Sequence, residues 1–519
     1  MVQFITAREA ADKIADDSVL GVCGFGLSGF AEEVAAAIGE RFVETDHPRN
    51  IHLRQSSSLG DGRERGPVRF AHEGLVGCWT TAMIGFNFEL GKLVSDNKIK
   101  CYCMPQGVLI NLWRETARGG PGFITKVGLG TYVDPRLEGG KMNAITTEDM
   151  VELVEFDGEE YLRYKNIVPD VVMVRGTTAD EDGNITIEKE SVINEGFAAC
   201  AAAKANGGIT IVQVEYVAQA GSLHPKEVKI PGVLVDYVVV STSEANNWQT
   251  EGTLYEPCFA GHLRKPSDRL PRLELNARKV IARRAAQELK KGDMVNLGIG
   301  VPANIAYIVA EEGFDGEVIF SAEAGAIGGV PAPLPNFGSS FNAQAILEQG
   351  SMFDLIDGGN LDVTCLGLAE ADKDGNLNVS KFGGRVNGPG GFINITSFTP
   401  KIIFCGTFMA GDKSEIKDGK LNITQPGKAS KFLETVEQIT FSGQEAARRG
   451  LDVFYITDRC VIKLIDGVMT IIEVAPGIDL QADVLDNMGF TPAIAEDLKI
   501  MDEALFSEKW GKLGATFAE

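Results

Sequence analysis

What most limits the folds open to this chain is a pattern that runs once, dissolves and starts again. Near the N-terminus an apolar-periodic segment, Ala7 to Ala15, leads to a strand-like run, Val19 to Cys23, then Gly24-Phe25-Gly26-Leu27-Ser28-Gly29. A helical stretch, Ala31 to Phe42, and a second strand, Ile51 to Arg54, follow, ending in Ser56-Ser57-Ser58-Leu59-Gly60. The order returns from residue 277: an amphipathic helix, Ala277 to Lys291, a strand, Asp293 to Leu297, and a glycine turn, Gly298-Ile299-Gly300-Val301-Pro302-Ala303, that opens a helix through Val309. Then come the strand Val318 to Phe320 and the turn Ser321-Ala322-Glu323-Ala324-Gly325. Setting the trailing glycines in register places Ser58 opposite Glu323. A second match lies downstream, where Asp170-Val171-Val172 leads to Asp180-Glu181-Asp182-Gly183-Asn184 and Asp362-Val363-Thr364 leads to Asp372-Lys373-Asp374-Gly375-Asn376. Two matches in one order point to a tandem duplication.

Further strands are expected at Val171 to Val174, Ile209 to Val214 and Tyr237 to Val240, with helix between Ile193 and Ala205 and another after Cys101 to Gln106. Strands alternating with helices predict parallel sheets covered by helices on their faces. The expected fold is therefore α/β: two tandem, distantly duplicated domains with mostly parallel sheets and the active site between them, where pockets tend to form. Between them the pattern gives way to polar residues and prolines (Pro257, Pro266, Pro271), so the divisions are placed at 1–245, a linker 246–275, and 276–519. The glycine-rich run Gly128 to Arg136 reads as a loop close to something functional.

Composition narrows the function. With 49 Lys and Arg against 72 Asp and Glu, the net charge of -23 repels a phosphate backbone and an anionic membrane surface, so neither nucleic acid nor membrane is expected as a partner. The acidic N-terminal segment and the lack of an apolar run of about 20 residues place the chain in the cytoplasm. Nine cysteines, odd in number and mostly inside apolar runs, read as buried and reduced. Cys101 and Cys103 lack a second pair or a nearby His, and no metal is expected.

Glu323 is the residue that stands out. A carboxylate on a glycine-supported turn at a strand end is approachable from several sides, as a nucleophile or general base must be. All five histidines precede residue 263, so no imidazole serves it from its own half. The turn Gly24 to Gly29 has the spacing and context of a dinucleotide fingerprint, but the expected ribose-binding acid after the second strand is missing. An NAD(P)-linked oxidoreductase with two Rossmann-like halves is thus the competing reading. A catalytically silent ligand-binding protein on the same fold is a third.

Several motifs resemble those of the class I CoA-transferases, whose members carry two related α/β halves on one chain or two. They are Gly24-Phe25-Gly26-Leu27 and Pro105-Gln106-Gly107 in the first half; Asn296 to Pro302, Ser321 to Gly325, Gly358-Gly359 with Asp362, Leu366-Gly367 and Gly388-Pro389-Gly390-Gly391 follow in the second. Glu-Ala-Gly at Glu323 is similar to the single-chain acetate/propionate branch rather than to the succinyl-CoA:3-oxoacid enzymes, which have Glu-Asn-Gly. The resemblance implies ping-pong transfer of CoA between short-chain acyl-CoA and free carboxylates, through an acyl-glutamyl anhydride and a glutamyl-CoA thioester. It makes Glu323 the nucleophile and Gln106 and Gly391 the oxyanion donors, with Gly298, Gly300, Gly325 and Gly390 on the substrate and CoA side. It also implies CoA thioester as substrate with no bound cofactor, and a homodimer or homotetramer. An acyl-CoA hydrolase is the neighbouring alternative.

Overall fold

The computed structural model describes residues 2–266 and 272–518; Pro271 of the expected linker lies outside them. The first half is built on an eight-stranded sheet in the order Gln3–Ile5, Tyr237–Val240, Ile209–Val214, Val171–Arg175, Val19–Val22, Ile51–Gln55, Val76–Thr81, Lys100–Cys103. Every neighbouring pair in it is parallel. Its central strands Val171–Arg175 and Ile209–Val214 are mostly Val and Ile because both faces of the sheet are covered there. Trp79, Leu53, Val22 and Met173 belong to one buried cluster, and Val172, Val174 and Val212 to another that packs on the helix Gly196–Ala205.

The second half repeats this plan. Asp452–Ile456, Lys401–Cys405, Val363–Gly367, Met294–Leu297 and Ile319–Ser321 are adjacent and parallel in the order of their first-half counterparts. The duplication holds at the level of single hydrogen bonds. Asp170 Oδ2 accepts from the backbone N–H of Val19 at 2.8 Å, and Asp362 Oδ2 from that of Met294 at 2.8 Å. Asp180 accepts from the N–H and side-chain amide of Asn184, and Asp372 does the same for Asn376. Each Asp-Gly-Asn turn is thus tied by one aspartate that satisfies the amides of its own loop.

Several elements differ from expectation. The helices Ala7–Ala11 and Ala277–Ala286 stop short of the expected ends. The second sheet continues on one edge through antiparallel strands, Cys460–Ile465 and Val468–Val474, to Ala493–Ile500, and on the other through Ala326–Ile327 and Ala345–Ile346, to a total of ten. Its hairpin turns at Asp466-Gly467, both with positive φ, as does a first-half hairpin, Val151–Phe156 with Glu159–Tyr164, at Asp157-Gly158. Both have the two-residue turn whose twist matches that of paired strands. Among the described residues no helix is long and apolar enough to cross a membrane.

The halves meet along a seam of backbone hydrogen bonds. Ile84 and Gly85 donate to the carbonyl of Asn387, Gly390 donates to Ala82 at 2.8 Å, and Gln106 donates to Gly390 at 3.0 Å. The loop Gly128 to Arg136 docks on the second half, Tyr132 N–H donating to Ile439 O at 2.8 Å, and does not line the cavity that holds Glu323.

Candidate active site

The strand Ile319–Ser321 delivers Glu323 to the seam on a tight turn. Gly325 N–H donates to Ala322 O, and Leu347 N–H to Gly325 O, both at 2.9 Å. Gly325 has φ +122°, and a β-carbon there would sit 2.2 Å from Leu347 O. Glycine is required because the turn is pressed against its neighbour. The position assigned to substrate contact from sequence is therefore one that shapes the turn, and it does not line the cavity.

The Glu323 carboxyl opens into a cavity of about 290 Å³ drawn from both halves. Phe25, Ser58, Met83, Phe86 and Gln106 come from the first; Gly298, Ile299, Phe337, Leu366, Gly390, Gly391 and Phe392 are among those from the second. Glu323 is 8% exposed. Burial pushes its carboxyl up to about 7 from 4.5, with its own backbone N–H pulling the other way. No other group among the described residues donates to it. A carboxylate in such an apolar setting, with no partner but its own backbone among the described residues, is poorly solvated.

Gln106 faces the same space. It starts the helix Gln106–Ala117 after Pro105, is 1% exposed, and its Nε2 has no hydrogen-bond partner among the described residues. A buried amide donor left unpaired is costly and calls for a ligand or water. Gly391 lies directly beside the acid, since a β-carbon built on it would sit 3.2 Å from Glu323 Cγ. Gly390 N–H and C=O are both used in the seam, so Gly390 holds the wall rather than offering a donor. Gly298 lines the cavity, whereas Gly300, φ +90°, is exposed outside it with open space around it.

Asn394, which the sequence reading passed over, ties these pieces together. It is fully buried on the helix Phe392–Phe398, its Oδ1 accepts from Gly107 N–H at 3.0 Å, and its Nδ2 donates to both oxygens of Asp357. A β-carbon on Gly107 would lie 2.6 Å from Asn394 Nδ2, so the helices Gln106–Ala117 and Phe392–Phe398 meet with no room to spare. The only sequence signal is a buried-face amide three residues after Gly391.

The first glycine turn cannot cradle a pyrophosphate. Gly29 N–H and Ser28 Oγ both donate to Glu190 Oε2, at 2.8 and 2.9 Å, and Glu190 is paired with the buried Arg175. Phe25 N–H and Gly26 N–H are given to the carbonyls of Ser28 and Ser58. An internal carboxylate occupies the anion position, which corrects the dinucleotide reading. A larger crevice of about 660 Å³ lies elsewhere, among Lys126, Arg136, Arg448 and Arg449. Three of those cations are neutralised by Glu159, Asp134, Glu160 and Glu445; the glycine-rich loop Gly128 to Arg136 lines this crevice through Leu129, Gly130, Thr131 and Arg136, but no residue assigned to catalysis or substrate contact does. The chemistry therefore favours the smaller cavity over the larger.

Two duplicated α/β halves that close around one desolvated carboxylate and an unspent amide define an enzyme of acyl-group chemistry. The chain belongs to the coenzyme A transferase family, in the class I, single-chain acetate branch: that family's model matches residues 4–241 and 278–391. It is 60% identical over 518 residues to the caffeate CoA-transferase of Acetobacterium woodii, covering 99% of each chain. It is 43% identical over 508 residues to the acetate CoA-transferase YdiF of Escherichia coli (strain K12), covering 97% of this chain and 95% of that one. The acyl-CoA transferase YdiF of Escherichia coli O157:H7, solved as a thioester complex with CoA, superposes with TM-score 0.91 at 42% identity over 98% of this chain and 97% of that one. The protein is accordingly an enzyme that transfers CoA between acyl-CoA and carboxylates.

Proposed function

We propose that Glu323 carries the transfer as a covalent nucleophile, in two half-reactions. Its carboxylate oxygen attacks the thioester carbonyl of the donor; the C–S bond breaks, leaving an acyl-glutamyl anhydride and CoA thiolate. The thiolate then attacks the glutamyl carbonyl, the donor acid departs, and a glutamyl-CoA thioester remains. An acceptor carboxylate runs the same steps in reverse. Each attack places negative charge on a carbonyl oxygen, for which Gln106 Nε2 and the Gly391 N–H are the donors. The observation that carries this reading is the Glu323 carboxyl, buried without a partner, in one cavity with the unpaired Gln106 amide. No histidine lines that cavity, and a carboxylate nucleophile needs none to activate it. The thioester complex of the related YdiF is in line with the same intermediate.

Short acids such as acetate, propionate and butyrate are the acyl partners that the acetate branch favours. A second class is supported by the walls: Phe25, Phe86, Phe337 and Phe392 with Met83, Ile299 and Leu366 form a largely apolar lining, and the 60%-identical relative is a caffeate CoA-transferase. At about 290 Å³ the cavity exceeds what an acetyl group displaces. An acetyl group takes the room of roughly two waters of ~30 Å³, so arylpropenoic acids are the larger partners proposed.

The decisive measurement is intact mass after brief exposure to acetyl-CoA, beside a Glu323→Ala control. A CoA-sized adduct on the wild type alone, discharged by acetate and by caffeate, is the expected result. Binding without an adduct would favour hydrolysis or simple ligand binding, and discharge by only one acid fixes the acyl class.

A further inference from the structure

The cavity contains a polar group that the transfer mechanism does not use. Its polar side chains are Glu323, Gln106, Asn387 and Ser58. Asn387 donates its amide to Val379 O at 2.9 Å, and Gln106 is taken by the oxyanion role proposed above. Ser58 remains. In the run Ser56-Ser57-Ser58 the first hydroxyl accepts from Trp113 Nε1 at 2.8 Å and the second donates to Gly24 O. The third, 8% exposed, has no partner among the described residues. Its backbone is fixed, because Ser58 O accepts from Gly26 N–H at 2.7 Å and Gly60 N–H donates back to Gly26 O at 2.9 Å. A buried hydroxyl held rigidly and left unpaired at the wall of a reaction cavity is a binding group without its ligand.

The duplication places that hydroxyl at the counterpart of Glu323: both follow equivalent strands and precede equivalent glycines. One copy of the turn supplies a nucleophile, and the other copy a donor to the same cavity. We propose that Ser58 Oγ is a substrate contact that donates a hydrogen bond to a carboxylate oxygen of the free acid, orienting the second oxygen for attack on the glutamyl-CoA carbonyl. The inference rests on the glutamyl-thioester reading of Glu323. In the step concerned the acid's C–O bond to the glutamyl carbonyl forms, the C–S bond breaks, and CoA leaves as thiolate; Ser58 keeps its proton throughout.

The test separates carboxylates from an uncharged nucleophile. Enzyme loaded with the CoA adduct from acetyl-CoA and freed of excess substrate is mixed with acetate or with hydroxylamine, and loss of the adduct is followed by mass. Hydroxylamine discharges the thioester through nitrogen, leaving a hydroxamate on Glu323 and passing a proton to the departing thiolate. Ser58→Ala is expected to slow discharge by acetate about 10- to 100-fold, the value of a hydrogen bond to a charged group. Discharge by hydroxylamine should stay within about twofold, and Ser58→Thr, which keeps the hydroxyl, should retain most of the acetate rate. Equal slowing with both nucleophiles makes Ser58 merely structural and overturns the proposal, as does an unchanged acetate rate. A wild type that acquires no adduct removes the glutamyl-thioester reading first, and this inference with it.

Discussion

Glu323 combines burial with a carboxyl pushed up to about 7, and both properties have measurable consequences. A folded-state value above the unfolded 4.5 means that the folded protein holds a proton the unfolded chain has released. Wild-type stability attributable to this group is complete below pH 4.5, declines through the interval to about 7 and is flat above it. Glu323→Gln has nothing to ionise, so its stability advantage over wild type should be absent at pH 4.5 and grow to on the order of 3 kcal/mol by pH 8. Denaturant midpoints at the two pH values check this, and an advantage independent of pH would show that the carboxyl is not desolvated. Gln106→Ala should lower turnover about 10²- to 10³-fold with an unchanged fold, the usual loss for one oxyanion donor; steady-state kinetics beside far-UV circular dichroism would reveal it. Glu323 was legible in the sequence because glycines and small residues surround an acid at a strand end. Gly325 and Gly300 belong to the same glycine signal, yet one shapes the turn and the other lies outside the cavity. Glycine marks a backbone conformation or a close approach, and sequence does not say to what.

The helices Gln106–Ala117 and Phe392–Phe398 bring residues from opposite halves to the acid, and Asn394 is the bolt between them. Asn394→Ala leaves the buried Gly107 N–H and the half-buried Asp357 carboxyl without that partner, which costs about 1–3 kcal/mol. Because the Gln106 turn is then free to shift, turnover should also fall, by roughly 10-fold or more, with the KM for acyl-CoA little changed. A drop in stability with full turnover would show that the bolt does not position the site. Element boundaries were read well where one period dominated, as in Ile209–Val214 and Tyr237–Val240. The hairpins closed by Asp157-Gly158 and Asp466-Gly467 were not among the expected elements although the dipeptide is their signal, because a two-residue turn is local and lies outside the strand–helix repeat that the two halves share.

For the whole molecule, the net charge of -23 sets the approach of a polyanionic CoA ester. Repulsion between them is long-ranged and is screened once the Debye length falls to about 8 Å near 0.15 M salt. The kcat/KM for acyl-CoA is therefore expected to rise several-fold between low ionic strength and 0.15 M salt, opposite to an enzyme that steers its substrate. Stopped-flow formation of the adduct across a salt series measures it directly; a falling rate would reveal a local cationic patch strong enough to outweigh the net charge.

The sequence by itself determined the doubled α/β plan, the glycine-supported turn that carries Glu323 and the family, because periodicity, glycine spacing and short motifs are local and survive without coordinates. Only the tertiary structure decided that Glu190 fills the first glycine turn, that Ser58 and Gln106 keep unspent donors, and that Asn394 bolts Gly107 to Asp357. Whether a hydroxyl or amide is spent or free depends on partners far apart in the chain, 287 residues in the case of Gly107 and Asn394. Desolvation, too, is a property of the packed seam between the halves and of no single segment.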